Sequence, residues 1–250
     1  INKSPSLDPT ECGISIYNSK DGILISKKRY KSTSISFSSN KTIAESMAAH
    51  LEHPGDKITI LNFASWTHPG GGVVFGAMPQ EESICRSTNL YPVLSSRECW
   101  DNYYRLNRES LKNFGTRRAI LSTGITVMKV DDTDMIYLLP SDRYKINVIT
   151  CPAPNLRNLK INDQSMLSES IATGIDLVMC AAIKAETDIL ILGAWGCGVF
   201  ENPAEIVVSE FSKKLIEYDG YFKEVRFAVY SKHPDNDQTF KIFKEYFDHA

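Results

Sequence analysis

The chain has 250 residues, 42% hydrophobic and 23% charged, an ordinary composition for a globular protein with a sizeable core. Its net charge of −2 and pI of about 6.3 argue against a basic binder of duplex DNA or of membrane surfaces. An anionic ligand stays open, because backbone N–H groups at helix N-termini hold phosphate without Lys or Arg.

Residues 1–9 lack periodicity and read as a loose arm. Ile14–Tyr17 and Ile23–Ser26 flank Asn18-Ser-Lys-Asp-Gly22, which predicts a hairpin with Gly22 at positive φ. Ser34–Phe37 predicts a further strand, and Ser39-Asn40 cap a helix running through Leu51. Lys57–Phe63 is a β-branched run, a buried strand. Gln80–Tyr91 reads as a helix stopped before Pro92, and Arg97–Phe114 as a longer one, capped by Ser95 or Ser96 and ended by Gly115. Ala119–Met128, Met135–Leu139 and Asn147–Cys151 predict strands. Leu167–Glu186 carries Ile171, Ile175, Met179 and Ile183 at spacing four, a helix. Asp188–Ala194 is an apolar strand, Pro203–Tyr218 a helix, Val225–Tyr230 a strand and Gln238–Phe247 a closing helix. This alternation predicts an α/β/α sandwich with ligand sites at the carboxyl ends of strands. No repeat or linker divides it: residues 1–38 read as an arm and hairpin appendage, residues 39–250 as the core, one domain overall.

Cys12, Cys85, Cys99, Cys151, Cys180 and Cys197 share no C-x-x-C spacing and read as reduced thiols of an intracellular protein, cytoplasmic or, in a eukaryote, nuclear. No signal peptide is recognised, and no apolar run of about 18 residues predicts a membrane span.

Two segments carry the chemistry. Leu61-Asn-Phe-Ala-Ser-Trp-Thr-His-Pro-Gly-Gly-Gly72 follows a strand and continues to Gln80-Glu81-Glu82. Three glycines let backbone press against a ligand and adopt dihedrals closed to other residues, and the next helix start puts Gln80, Glu81 and Glu82 at the mouth of a cleft. Taken alone, glycines can mark any loop, and acids suit any helix N-terminus. Gly193-Ala-Trp-Gly-Cys-Gly-Val-Phe200, before Pro203, makes a strand–glycine turn–helix phosphate cradle. It is neither a Walker loop nor a clean dinucleotide fingerprint.

Together these segments resemble the bacterial-type poly(ADP-ribose) glycohydrolases, whose signature is three glycines, six to eight residues, then Gln-Glu-Glu; here the gap is seven. The resemblance extends through Cys85-Arg86-Ser87, Leu90-Tyr91 and Thr150-Cys-Pro-Ala-Pro-Asn155, covering roughly residues 40–230. It implies a three-layer α/β/α macrodomain-like fold with a mixed, mainly parallel central sheet. It implies Glu82 as the catalytic acid and Glu81 as the residue holding ribose hydroxyls. Asn62, Gly70, Gly71, Gly72 and Gln80 would serve the distal ribose side. Gly196, Cys197, Gly198 and Val199 would form the diphosphate loop, Phe200 would pack on the ribose, and Pro154 and Asn155 would line the adenosine side. The chemistry fits: a ribose O-glycosidic bond breaks through an oxocarbenium-like state that needs a proton for the leaving oxygen and a water on the freed carbon. Adjacent acids point about 100° apart on a helix, unlike the opposed pair of an ordinary glycosidase, so one acts as acid/base and one positions.

The expected substrate is poly(ADP-ribose) or ADP-ribosylated protein, the product ADP-ribose, and the acting unit a monomer without cofactor, metal, membrane or sequence-specific nucleic acid. Removal of single ADP-ribose units from an acceptor, and non-catalytic reading of ADP-ribose, are the alternatives; two acids facing an anion argue against the reader. His50 and His53 have helical spacing but no third ligand, and read as a solvated helix end. His68 reads as a loop stabiliser, and Cys197 as a residue that merely fits between glycines. Lys27-Lys-Arg29 and Arg117-Arg118 read as solvated charge, and Trp66 and Trp195 as cleft wall or core.

Overall fold

A computed structural model describes residues 5–19, 27–109, 118–131, 134–157 and 163–248. Seven strands form one sheet in the order β1-β4-β5-β3-β6-β7-β2. They are β1 Gly13–Asn18, β2 Ser34–Ser38, β3 Ile58–Phe63, β4 Arg118–Val127, β5 Tyr144–Cys151, β6 Ile189–Leu192 and β7 Glu224–Ala228. β4 is antiparallel to both its neighbours; every other pairing is parallel. The sheet is therefore mixed and mainly parallel, as the resemblance implies.

The central strands are apolar at successive residues because both faces are covered. Leu61, Leu121, Ile149, Leu190 and Leu192 pack under α6 Gln164–Lys184, α7 Ala204–Glu217 and α8 Gln238–Phe247. Their strand neighbours Ile60, Ile120, Val148, Ile189 and Ile191 face the opposite layer. That layer holds α1 Thr42–Glu52, α2 Gln80–Ser87, α3 Leu90–Leu94, α4 Arg97–Cys99, a π-turn Trp100–Tyr104 and α5 Arg105–Glu109. The chain thus forms three layers. α6 is long and apolar enough to cross a membrane by length and composition. Here its Ile171, Ile175, Met179 and Ile183 are buried in the core.

Several expectations are corrected. β1 pairs with β4 at one edge of the described sheet and β2 with β7 at the other, so Gly13–Asn18 and Ser34–Ser38 belong to the core sheet rather than to an appendage. Ile23–Ser26 and Gly22 lie outside the described residues. α1 starts at Thr42 behind Lys41, which makes no side-chain cap, while Asn40 donates its Nδ2 to Glu45 Oε2 (2.9 Å). The helix from Gln80 ends at Ser87, where the Thr88 hydroxyl donates back to the Ile84 carbonyl (2.8 Å) and accepts from the Leu90 amide (3.1 Å). Pro92 falls inside the first turn of α3, where a missing N–H costs nothing. Ser96 caps the helix at Arg97, while Phe114 and Gly115 lie outside the described residues. Met135–Leu139 forms only an isolated bridge, Lys129 with Tyr137.

What matters for function is direction. β3, β6 and β7 run parallel, so their carboxyl ends, and the loops into α2, α7 and α8, meet at one edge.

Candidate active site

The first wall is built by the Gln80 side chain. Its Nε2 donates to the Leu61 carbonyl (2.7 Å) and to Thr42 Oγ1 (3.1 Å), and its Oε1 accepts from the Phe63 amide (2.8 Å). One amide thereby ties the start of α2 to the end of β3 and to α1. It fixes the helix N-terminus, whose dipole favours acids in the first turn.

Those acids are Glu81 and Glu82, only 3% and 7% exposed. Glu81 Oε2 accepts from the Ser65 amide (2.6 Å) and its Oε1 from Asn62 Nδ2 (3.3 Å). Burial nonetheless pushes its carboxyl up to about 8, with Glu82 raising it further and the Ser65, Asn62 and Gly70 donors opposing. The raised acid is therefore the residue expected to position substrate. Glu82 is set apart by geometry: its Oε1 accepts from the Gly72 amide (2.8 Å), while its Oε2 has no protein partner among the described residues.

The glycine loop wraps these carboxylates. Gly71 has φ +60°, and a Cβ there would lie 2.4 Å from Glu82 Oε1 and 3.0 Å from Glu81 Oε2. The close approach that demands glycine is thus to the acids themselves. Beyond it, Val73–Phe75 form a 3-10 turn ended by Gly76 at φ +78°. The Phe75 and Ala77 amides both return to the Gly72 carbonyl (2.9 and 3.2 Å).

The second wall follows β6. Trp195 is buried and donates Nε1 to the Cys151 carbonyl (2.8 Å). Asn202 Nδ2 donates to the carbonyls of Pro154 (2.8 Å) and Gly196 (3.0 Å), locking the loop to the end of β5. Gly196 must be glycine: its φ is +77° and a Cβ would lie 2.4 Å from that of Ala153. The amides of Gly196, Gly198, Val199 and Phe200 donate to no protein acceptor among the described residues. Such a run of unspent donors before a helix is a nest for an anion.

Between the walls lies a cavity of about 810 Å³. Gly71, Gly72, Gln80, Glu81, Glu82, Gly196, Cys197, Gly198, Val199 and Phe200 all line it, as the sequence suggested. Four expected residues do not. Asn62 is fully buried behind Glu81, its Nδ2 donating to Glu81 Oε1 and to Thr150 Oγ1 (3.2 Å). Gly70 packs under Tyr91 and Cys85. Pro154 offers its carbonyl to Asn202, and Asn155 Oδ1 accepts from the Arg157 amide (3.2 Å). Gln80 lines the wall with its amide already committed to protein partners. His68 lines the cavity while its carbonyl accepts from the Gly71 amide (3.0 Å). Burial pushes the Cys197 thiol up to about 12, which suits a packing residue, not a nucleophile. Trp66 donates Nε1 to the Ala153 carbonyl (2.9 Å). No group of three or more His, Cys, Asp or Glu suited to a metal occurs among the described residues.

Sequence reasoning missed Ser65, Phe75, Val229, Tyr230, Asp237 and Thr239, all of which line the cavity. The last four follow β7. The strand order makes them neighbours of the β6 loop, and only the topology reveals it.

With this geometry in place the likeness to known proteins can be weighed. The model of the microbial-type PARG (poly(ADP-ribose) glycohydrolase) catalytic domain matches residues 10–130. The fold is similar to poly(ADP-ribose) glycohydrolase from Thermomonospora curvata, with a TM-score of 0.83 at 28% identity, over 94% of this chain and 86% of that one. It is similar to the Deinococcus radiodurans enzyme in complex with ADP-ribose, with a TM-score of 0.80 at 31% identity, over 93% of each chain. A Thermomonospora curvata structure bound to the inhibitor ADP-HPD matches with a TM-score of 0.80 at 28% identity, over 94% and 85%. No curated protein sequence matches the chain. Nearly full-length agreement at this identity, around a cavity carrying the paired acids and the amide nest, leaves one assignment: the chain belongs to the microbial-type poly(ADP-ribose) glycohydrolase family.

Proposed function

We propose that the chain hydrolyses the ribose–ribose O-glycosidic bond of poly(ADP-ribose) and releases ADP-ribose, with Glu82 as acid and then base. The observation that carries this is Glu82 Oε2, an uncommitted carboxyl oxygen on a cavity whose other wall presents four unspent amides. The amides of Gly196, Gly198, Val199 and Phe200 hold the diphosphate, and the Phe200 ring packs on the adjoining ribose. Glu81, held by Ser65 and Asn62, accepts or shares protons with the ribose hydroxyls and fixes the anomeric carbon relative to Glu82. Glu82 gives its proton to the leaving 2′-oxygen as the C–O bond breaks and the ribose carbon takes up oxocarbenium character. It then takes a proton from the attacking water, whose oxygen bonds to that carbon. Gly72 steadies the carboxylate through both steps.

The free thiols Cys12, Cys85, Cys99, Cys151, Cys180 and Cys197 support a reducing, intracellular setting. Residues 39–250 carry every lining residue, so the chemistry is proposed to reside there, with β1 and β2 as structural edges.

The test is product analysis. Protein incubated with purified poly(ADP-ribose) should release free ADP-ribose, and protein mono-ADP-ribosylated on a side chain should be processed far more slowly. Turnover of the mono-modified protein alone would assign the chain to removal of single units. Tight ADP-ribose binding with no turnover of either would make it a reader.

A further inference from the structure

We infer that Phe75 is the platform on which the leaving unit of the polymer stacks its adenine, so that this residue selects poly(ADP-ribose) over mono-ADP-ribosylated protein. The inference rests on the glycohydrolase reading above. Phe75 lines the cavity yet is 90% exposed. A large aromatic ring exposed at the mouth of a site offers a face on which a base can stack. The packing of the fold does not require it: no aromatic neighbour holds the ring among the described residues, and its turn is closed by backbone bonds.

Its place in the chain ties it to the chemistry. The Phe75 amide bonds the Gly72 carbonyl (2.9 Å), and the Gly72 amide bonds Glu82 Oε1 (2.8 Å). The ring thus stands one short turn from the carboxyl proposed to protonate the leaving oxygen. A cavity of about 810 Å³ is of single-ligand size, so the group on the far side of the scissile bond must rest outside it. In the polymer that group is an adenosine, joined through its 2′-oxygen. The adenine is carried on the very next carbon of the same ribose. When the 2′-oxygen meets Glu82, the base is therefore held close to it, at the rim. A mono-modified protein presents an amino-acid side chain there and no base. An aromatic at this point distinguishes the two leaving groups by what it can stack on.

The experiment compares wild type, Phe75→Ala and Phe75→Trp on purified poly(ADP-ribose), with ADP-ribose affinity measured by calorimetry. Aromatic–base stacking lost on truncation corresponds to a fall of about 5–150-fold in kcat/KM on the polymer. The fall should appear as a raised KM with kcat largely kept, because stacking is available in ground and transition states alike. ADP-ribose affinity should stay within about twofold, since ADP-ribose occupies the cavity while the proposed stacking partner of Phe75 is a base held at its rim, and Phe75→Trp should retain polymer activity. Unchanged polymer kinetics in Phe75→Ala would overturn the inference. So would an equal loss of ADP-ribose affinity, which would move the ring to the product half. A loss confined to kcat would mean that the turn had merely been disturbed around Glu82. A wild type inert on polymer would instead strike the underlying reading, and this one with it.

Discussion

Glu81 and Glu82 share a helix turn and a glycine loop but differ in what their oxygens touch, and mutation should separate them. Glu82→Gln keeps the bond from Gly72 in kind and removes the titrating proton. Polymer hydrolysis should fall by about 10²–10⁴-fold while ADP-ribose affinity, read by calorimetry, is kept or improved. Near wild-type turnover would remove Glu82 from the mechanism. Glu81 makes a different prediction, through pH. Its carboxyl moves from 4.5 to about 8 on folding, so between those values the native protein holds a proton that the unfolded chain has released. Stability from this group is complete below about pH 4.5, declines as pH rises and is lost above about 8. Glu81→Gln, which cannot ionise, should therefore melt above wild type at pH 8.5, each kcal/mol giving about 2–4 °C. The gap should close as pH falls to 5; a gap independent of pH would mean that Glu81 is already ionised throughout. The two acids were legible in the sequence because a glycine triplet and Gln-Glu-Glu make a local pattern. Asn62 was legible only as a site residue: that it stands behind Glu81, its amide on the acid, depends on β3 lying beside Thr150 of β5. The division of labour, with burial acting on Glu81, depends on depth, which spacing does not encode.

The two glycine loops look alike as sequence and behave differently as elements. Gly71 faces the acids at φ +60°, whereas an added Cβ at Gly198 meets nothing within 4 Å. Gly71→Ala should therefore lose hydrolysis by tenfold or more and also lower the melting temperature, since the left-handed backbone alone costs an L side chain about 1–2 kcal/mol. Gly198→Glu should melt like wild type yet fail to bind ADP-ribose, because its charge and bulk enter the amide nest. Calorimetry on the folded variant checks this, and unchanged affinity would place the diphosphate elsewhere. Elements with unbroken periodicity, such as α6, α8 and β3, were readable within a few residues. The misreadings have physical causes. Thr88 closes α2 with its own hydroxyl, and the segment then turns to pair with the end of β4, where two carbonyls accept: the Ser87 carbonyl from the Met128 amide (2.9 Å) and the Thr126 carbonyl from the Asn89 amide (3.3 Å). Ile136, Tyr137 and Leu139 have strand-like character but remain exposed, without a ladder to join.

At the scale of the molecule, the edges were the least legible part, because β1 and β2 find partners far along the chain. β2 is fastened by a buried charge cluster. Arg226, 6% exposed, donates to Glu45 (3.1 Å), Glu52 (2.7 Å) and Glu224 (2.8 Å), while Ser36 and Ser38 of β2 donate to Glu224 (3.0 Å) and Glu45 (2.5 Å). Arg226→Met would strand these carboxylates, and loss of one partner from a buried ionic group costs about 3–5 kcal/mol. A urea midpoint within error of wild type would show the cluster to be dispensable. The same topology argues that residues 39–250 alone should not stay in solution: without β1 and β2, both β4 and β7 become bare edges, ready to pair with another chain. Monodisperse 39–250 by size-exclusion chromatography would refute this.

The placement of β2 also sets a clock. Ser34 meets Lys223, 189 residues further on. At a synthesis rate of about 5–20 residues per second, the ribosome needs roughly 10–40 s to deliver the partner of a strand it has already released. Through that interval residues 34–38 wait with their ladder unmade, and the N-terminal match that opens the sheet is among the last contacts the nascent chain can form.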